Sequence, residues 1–79
     1  MQTTKRDLRV TLQTLVDENP RLKGAQLQSW SHDGVTRYRL EQDGRTPLGC
    51  SYWLGASEAY HGLWVAIYAF RLARQEAVA

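Results

Sequence analysis

The stretch SWSHDGVTRYRLE, residues 29–41, decides the fold. From Val35 to Glu41 its side chains alternate: Thr36, Tyr38 and Leu40 share one face, Arg37, Arg39 and Glu41 the other. That is the period of a half-buried strand. Asp33-Gly34 lies just upstream, and an Asp-Gly pair between alternating segments marks a tight hairpin turn. The preceding residues, Gln26 to Ser31, therefore read as the antiparallel partner. A second Asp-Gly pair, Asp43-Gly44, follows Glu41. Beyond it Leu48, Cys50, Tyr52 and Leu54 alternate with Gly49, Ser51 and Trp53, which predicts a third strand over Leu48 to Leu54. The expected sheet is a three-stranded antiparallel meander whose buried face is Tyr38, Leu40, Cys50, Tyr52 and Leu54.

A helix is predicted on either side of this sheet. About Thr4 to Glu18, Leu8, Leu12, Leu15 and Val16 fall on one face of a 3.6-residue period. Thr4 suits the N-cap with Asp7 completing a capping box, and Asn19-Pro20 ends the helix because the residue before proline is pushed out of helical space. Asp17 and Glu18 sit at the wrong end of the helix dipole, so this helix depends on packing. About Ser57 to Gln75, Ser57 suits an N-cap, Glu58 the first turn, and Arg71 and Arg74 the last turns. Ala59, Gly62, Ala66, Ala69 and Ala73 form a small-residue stripe, its arc continued by Leu63, Ile67 and Phe70, that would let this helix lie close to the sheet. The order is α-β-β-β-α: a two-layer α+β domain over residues 1–79, with both helices on one face of the sheet.

Composition narrows the class. Of 79 residues, 43% are hydrophobic and 23% charged, as in a folded domain. A chain this short buries only ~60% of its unfolded surface, and small domains usually add a disulfide, a metal or a partner. Cys50 is the only cysteine, so an internal disulfide is out. Two histidines, His32 and His61, and one thiol lack the paired spacing of a zinc site. A partner is the option that remains. The apolar run from Leu63 to Phe70 points the same way, because a helix apolar on every side should be buried on every side. That run is also far short of the ~20 residues a membrane helix needs, and Met1 to Arg9 has no apolar signal segment. A cytoplasmic protein is the expectation.

The formal charge is +2, and it does not gather. Residues 1–24 carry Lys5, Arg6, Arg9, Arg21 and Lys23 against Asp7, Asp17 and Glu18. Residues 25–54 balance Arg37, Arg39 and Arg45 against Asp33, Glu41 and Asp43. Strong phosphate tracking needs several uncompensated cations. No catalytic set emerges either. Ser31, His32 and Asp33 are consecutive, whereas a triad draws on residues distant in sequence. Cys50, expected on the buried face, is a core thiol rather than a partner for His61. The glycines are scattered and form no phosphate loop. No enzyme, cofactor or metal is expected.

Two constellations are candidate binding surfaces. The outer sheet face would carry Arg37, Arg39, Ser51 and Trp53 with Trp30 beside them, and arginines interleaved with tryptophan suit nucleic acid. The second is a helical arc of His61, Trp64, Tyr68 and Arg71, whose Trp, Tyr and Arg are the commonest binding hot spots. It faces either a partner, a second copy of the chain included, or the first helix.

The order of elements resembles the double-stranded-RNA-binding domain. That family opens its last helix with phosphate-gripping lysines, but the matching stretch here is Ser57-Glu58-Ala59-Tyr60-His61, and no lysine follows Lys23; RNA binding is not carried over. Three strands followed by a helix is also similar to the arm-binding domains of phage integrases, where Arg37 and Arg39 would match sheet-face arginines. The run Tyr38-Arg39-Leu40, Asp43-Gly44, Tyr52-Trp53-Leu54-Gly55 and Ser57-Glu58-Ala59-Tyr60 resembles small accessory proteins of phages and mobile elements, anti-CRISPR proteins among them. That resemblance implies a one-domain, non-enzymatic protein that binds and blocks a host complex. A small DNA- or RNA-binding domain using its sheet face is the alternative.

Overall fold

The computed structural model describes residues 3–49 and 52–78. Helix α1 spans Lys5–Glu18, a single 3-10 turn Pro20–Leu22, strand β1 Gln26–His32, strand β2 Val35–Glu41 and helix α2 Ala56–Val78. The class is α+β, with both helices against the inner face of the sheet: α1 touches β1, α2 touches β2, and the helices touch each other.

Helix α1 begins as its sequence demands. The Asp7 amide donates to Thr4 Oγ1 at 3.2 Å and the Thr4 amide donates to Asp7 Oδ2 at 2.9 Å, a complete capping box. Leu8, Thr11 and Leu15 form its buried face, while Leu12 and Val16 flank it half-buried. At the other end the Asn19 side chain donates to the Leu15 carbonyl at 2.9 Å, and Pro20 opens the 3-10 turn.

The first hairpin is the one expected. Asp33 and Gly34 both have positive φ, 52° and 77°, the backbone of a type I′ turn, and the ladder runs from His32↔Val35 to Gln26↔Glu41. The second Asp-Gly pair also makes such a turn, with φ of 51° and 76° at Asp43 and Gly44 and Gln42 paired to Arg45.

The expected third strand does not follow it. Among the described residues the sheet has two strands. Pro47 has no amide to give a ladder, and Thr46 to Gly49 instead closes a turn with Pro47 in its second position, the Gly49 amide donating to the Thr46 carbonyl at 3.0 Å. Pairing resumes at one residue: Tyr38 and Leu54 exchange both backbone hydrogen bonds, at 2.7 and 2.8 Å. From Gln42 back to Tyr38 is four residues, but from Arg45 on to Leu54 is nine, so the two pairings do not share one ladder register. Tyr52, expected in the core, is consequently 76% exposed. Tyr38 is buried and Leu40 and Leu54 pack half-buried against the core, as the alternation required; Cys50 and Ser51 lie outside the described residues.

Helix α2 starts one residue earlier than expected, with the Ala59 amide donating to the Gly55 carbonyl at 2.9 Å, so Ser57 sits inside the first turn. Its buried face is Ala59, Leu63, Ala66 and Ile67. This is the arc expected from the stripe and its continuation through Leu63, Ile67 and Phe70, with Phe70 half-buried; Ala69 and Ala73, farther along the stripe, stay exposed. Leu63 and Ile67 carry most of the burial energy, because burying a large aliphatic side chain contributes about 1.5–3 kcal/mol.

Two arginines of α2 resolve the misplaced acid at the end of α1. Arg71 donates twice to the Glu18 carboxylate, at 2.8 and 2.6 Å, and Arg74 donates to the same carboxylate, the Glu18 carbonyl and Asn19 Oδ1. Cations thus reach the carbonyl end of the α1 dipole from another helix. The hydrogen bond from Arg71 holds the Glu18 carboxyl below its ordinary value of 4.5 against partial desolvation, with the charges of Arg71 and Arg74 adding to the effect. A carboxyl whose pKa is lowered by folding stabilises the fold fully above its unfolded pKa and stops doing so as pH falls through the folded one. Glu18→Gln is expected to lower the melting temperature at neutral pH, and the gap to the parent chain should close below about pH 4.5. Parallel melting curves across that range would show that the clamp does not stabilise the fold.

Candidate functional site

The ladder register places Gln28, Trp30 and His32 of β1 on the outer sheet face with Arg37, Arg39 and Glu41 of β2, Trp30 directly opposite Arg37. The Leu54 pairing brings Trp53 onto the same face. Trp30 stacks on His32 with ring centroids 5.4 Å apart and planes 8° from parallel, and it meets Trp53 at 6.4 Å. The Arg39 guanidinium lies 4.4 Å from the Trp53 ring centroid and donates from Nε to Glu41 Oε2 at 2.7 Å. The four residues proposed for a nucleic-acid face, Arg37, Arg39, Trp53 and Trp30, are thus gathered on one surface. Trp30 is 49% exposed, Arg37 exposed, and Trp53, Arg39 and Glu41 half-buried.

The chemistry of this face is aromatic and nearly neutral. Glu41 takes up the charge of Arg39, and the Trp53 ring shields its planar side from water. His32 lies 3.2 Å from Asp33. Ser31 faces Thr36, its hydroxyl 2.9 Å from the Thr36 hydroxyl, so the consecutive Ser31, His32 and Asp33 make no relay. Among the described residues no group of three His, Cys, Asp or Glu could hold a metal ion, and no helix is long and apolar enough to cross a membrane.

The helical arc divides. Trp64 is half-buried against the core, between Tyr60 in an edge contact at 6.5 Å and Tyr68 at 5.7 Å. Arg71 is spent on Glu18, its guanidinium 5.6 Å from the Tyr68 ring centroid. His61 is exposed and Tyr68 60% exposed. Two large aliphatic residues that the sequence reading did not assign to a surface, Val65 and Leu72, stand out beside them, 52% and 56% exposed.

A groove of about 390 Å³ opens along α2, between Gly62, Val65, Ala66 and Ala69 and the residues Leu40, Leu48, Tyr52 and Leu54. Its walls are apolar, and among the described residues Arg39 is the one charged residue at its edge. A small-molecule site needs a few convergent polar groups to orient its ligand; this groove reads as a place for an apolar side chain.

No family model matches the chain, and no curated protein or solved structure matches it either.

The split of the arc has a measurable consequence. Trp64→Ala should cost about 2 kcal/mol or more of stability, since it removes a large ring from the edge of the core. Tyr68→Ala should cost less than about 1 kcal/mol, its ring being mostly in water. Chemical denaturation of the two variants checks this; equal losses would mean that both rings belong to the core.

Proposed function

We propose that this chain is a non-enzymatic, cytoplasmic binding protein that docks the outer face of its hairpin on a host protein complex and blocks it, as its likeness to phage and mobile-element accessory proteins implies. The observation that carries this reading is the Trp30, Trp53 and Arg39 cluster. Two tryptophans and an arginine already in mutual contact offer large, rigid, amphipathic area with little entropy left to lose on binding. The hairpin end that carries Trp30, Ser29 to Val35, is exposed on both faces, so Trp30 stands on an arm that can enter a cleft while Arg39 and Trp53 sit at its base. A CRISPR-type defence complex is the kind of target that the resemblance names.

Nucleic acid is the second reading, favoured by the same cluster because stacked aromatic rings and guanidinium groups are platforms for unpaired bases. It ranks lower because Glu41 already neutralises Arg39.

Both readings meet one experiment. The chain is expressed in a bacterium whose CRISPR system targets an infecting phage, and the chain with Trp30→Ala and Trp53→Ala is run beside it. Restored plaquing that the double variant loses, at unchanged melting temperature, is the expected result. Binding to a single-stranded oligonucleotide at sub-micromolar Kd, falling by orders of magnitude between about 50 and 200 mM salt, would promote the second reading. Plaquing restored equally by both chains would remove the hairpin face from the mechanism.

A further inference from the structure

Strand β1 leaves one edge of the sheet open. The Tyr38 N–H and C=O go to Leu54, at 2.7 and 2.8 Å, so Ser29, opposite Tyr38 in the ladder, turns its own N–H and C=O away from β2. With the two-residue period of a strand, those of Leu27 and Ser31 point the same way. Among the described residues, no hydrogen bond meets these backbone groups on that side. The edge is also undefended. Natural edges are blunted by proline, lysine or a bulge. Strand β1 reads Gln26-Leu27-Gln28-Ser29-Trp30-Ser31-His32, with neither proline nor lysine, and it pairs with β2 in unbroken register.

Beside this edge, between α1 and the inner side of β1, lies a hollow of about 280 Å³. Leu8, Leu12, Leu27 and Tyr38 line it, together with the exposed Lys5 and Arg9 of α1. A strand added to the edge would carry the inner face of the sheet across this hollow, with every second side chain pointing inward. An inward residue over Leu8 and Leu27 meets an apolar surface, and its inward neighbours meet Lys5 and Arg9. Among the described residues, neither cation is paired with a carboxylate, and no carboxylate lines the hollow. Charge complementarity therefore asks the incoming segment to bring the acids. The β1 edge of a second copy would bring none, since β1 contains no Asp or Glu.

We propose that β1 takes an extended, acidic segment of a partner protein as an added strand, its main chain hydrogen-bonded to Leu27, Ser29 and Ser31, an apolar side chain in the hollow and carboxylates on Lys5 and Arg9. Strand addition of this kind draws affinity from main-chain hydrogen bonds and specificity from the pockets under alternate side chains. The edge and the hollow use none of Trp30, Trp53 and Arg39, so this proposal stands or falls apart from the functional reading above.

The probe is the peptide Thr-Glu-Thr-Leu-Thr-Glu-Thr, whose leucine and glutamates share one face of a strand. Added to the full chain, it should slow hydrogen exchange at the Leu27, Ser29 and Ser31 amides by about 10-fold or more at saturation. Replacing both of its glutamates by lysine should weaken binding about 10-fold or more. Lys5→Glu with Arg9→Glu, both at exposed positions, should leave the melting temperature in place and reverse that preference. N-methylation of alternate peptide residues should abolish binding in one phase and spare it in the other, because an added strand turns only every second N–H toward β1. The same affinity in both phases, or edge amides left unprotected by about 1 mM peptide, would overturn the added strand. An unchanged preference in the charge-reversed chain would overturn the part given to Lys5 and Arg9. Edge amides protected in the free chain and released on dilution would give the edge to a second copy. Protection by a single-stranded oligonucleotide but not by the peptide would give it to nucleic acid. Either of these last results would overturn the proposal.

Discussion

The sheet is held in place through Tyr38. Its ring is buried against the helices, its backbone exchanges two hydrogen bonds with Leu54, and across β1 it stands opposite Ser29. A two-stranded hairpin alone is marginal in water, so this one needs an anchor in a larger core. Leu8 and Leu15 from α1 and Leu63 and Ile67 from α2 supply that core. From Ser29 outward the strands leave it, and both faces turn to solvent. The arm that carries Trp30 and His32 therefore draws its order from the type I′ turn, the ladder and the stack of aromatic rings on its outer face. Anchoring at one end and exposure at the other follow from a single buried residue near the middle of β2.

Local chemistry explains which parts of this fold can be read from the chain. The capping box needs only Thr4 and Asp7 at the right spacing. The first hairpin needs only Asp33-Gly34 between alternating segments, and its register follows once the turn is fixed. The third strand fails because an Asp-Gly turn specifies the reversal at Asp43-Gly44 and nothing beyond it. Pro47, followed two residues later by Gly49, carries its own turn signal in the middle of the alternating run. Alternation of side chains then misplaces Tyr52, since its inward assignment assumed a ladder that does not exist. The buried side of α2 is legible from its period: Ala59 and Ala66 of the small-residue stripe and Leu63 and Ile67 beside them all reach the core, and the stripe leaves it at Ala69 and Ala73.

The surface chemistry is legible where it follows from register and hidden where it follows from tertiary contact. Trp30, Arg37 and Arg39 share a face because two-residue periodicity and a tight turn leave no other choice. Trp53 joins them through one backbone pairing. The fate of Arg71 could not be read in this way. Nothing local links it to Glu18, which lies on the other helix, and the only hint is negative: an acid at the carbonyl end of a helix dipole needs a cation from elsewhere. That contact changes the electrostatics of the whole chain. Arg71 and Arg74 are both committed to it and Arg39 to Glu41, so the formal excess of positive charge is drawn from residues scattered over α1, the 3-10 turn, Lys23, Arg37 and Arg45.

The clamp also divides the labour on α2. A helix that is apolar nearly all round has to place each of its sides somewhere. Leu63 and Ile67 take the core, Arg71 and Arg74 hold α1, and Trp64 covers the edge between Tyr60 and Tyr68. Val65 and Leu72 are then left about half in water, since so small a domain has few core positions to offer. Exposed apolar residues are ordinary when scattered, and these two take the side of α2 that neither the core nor the clamp uses.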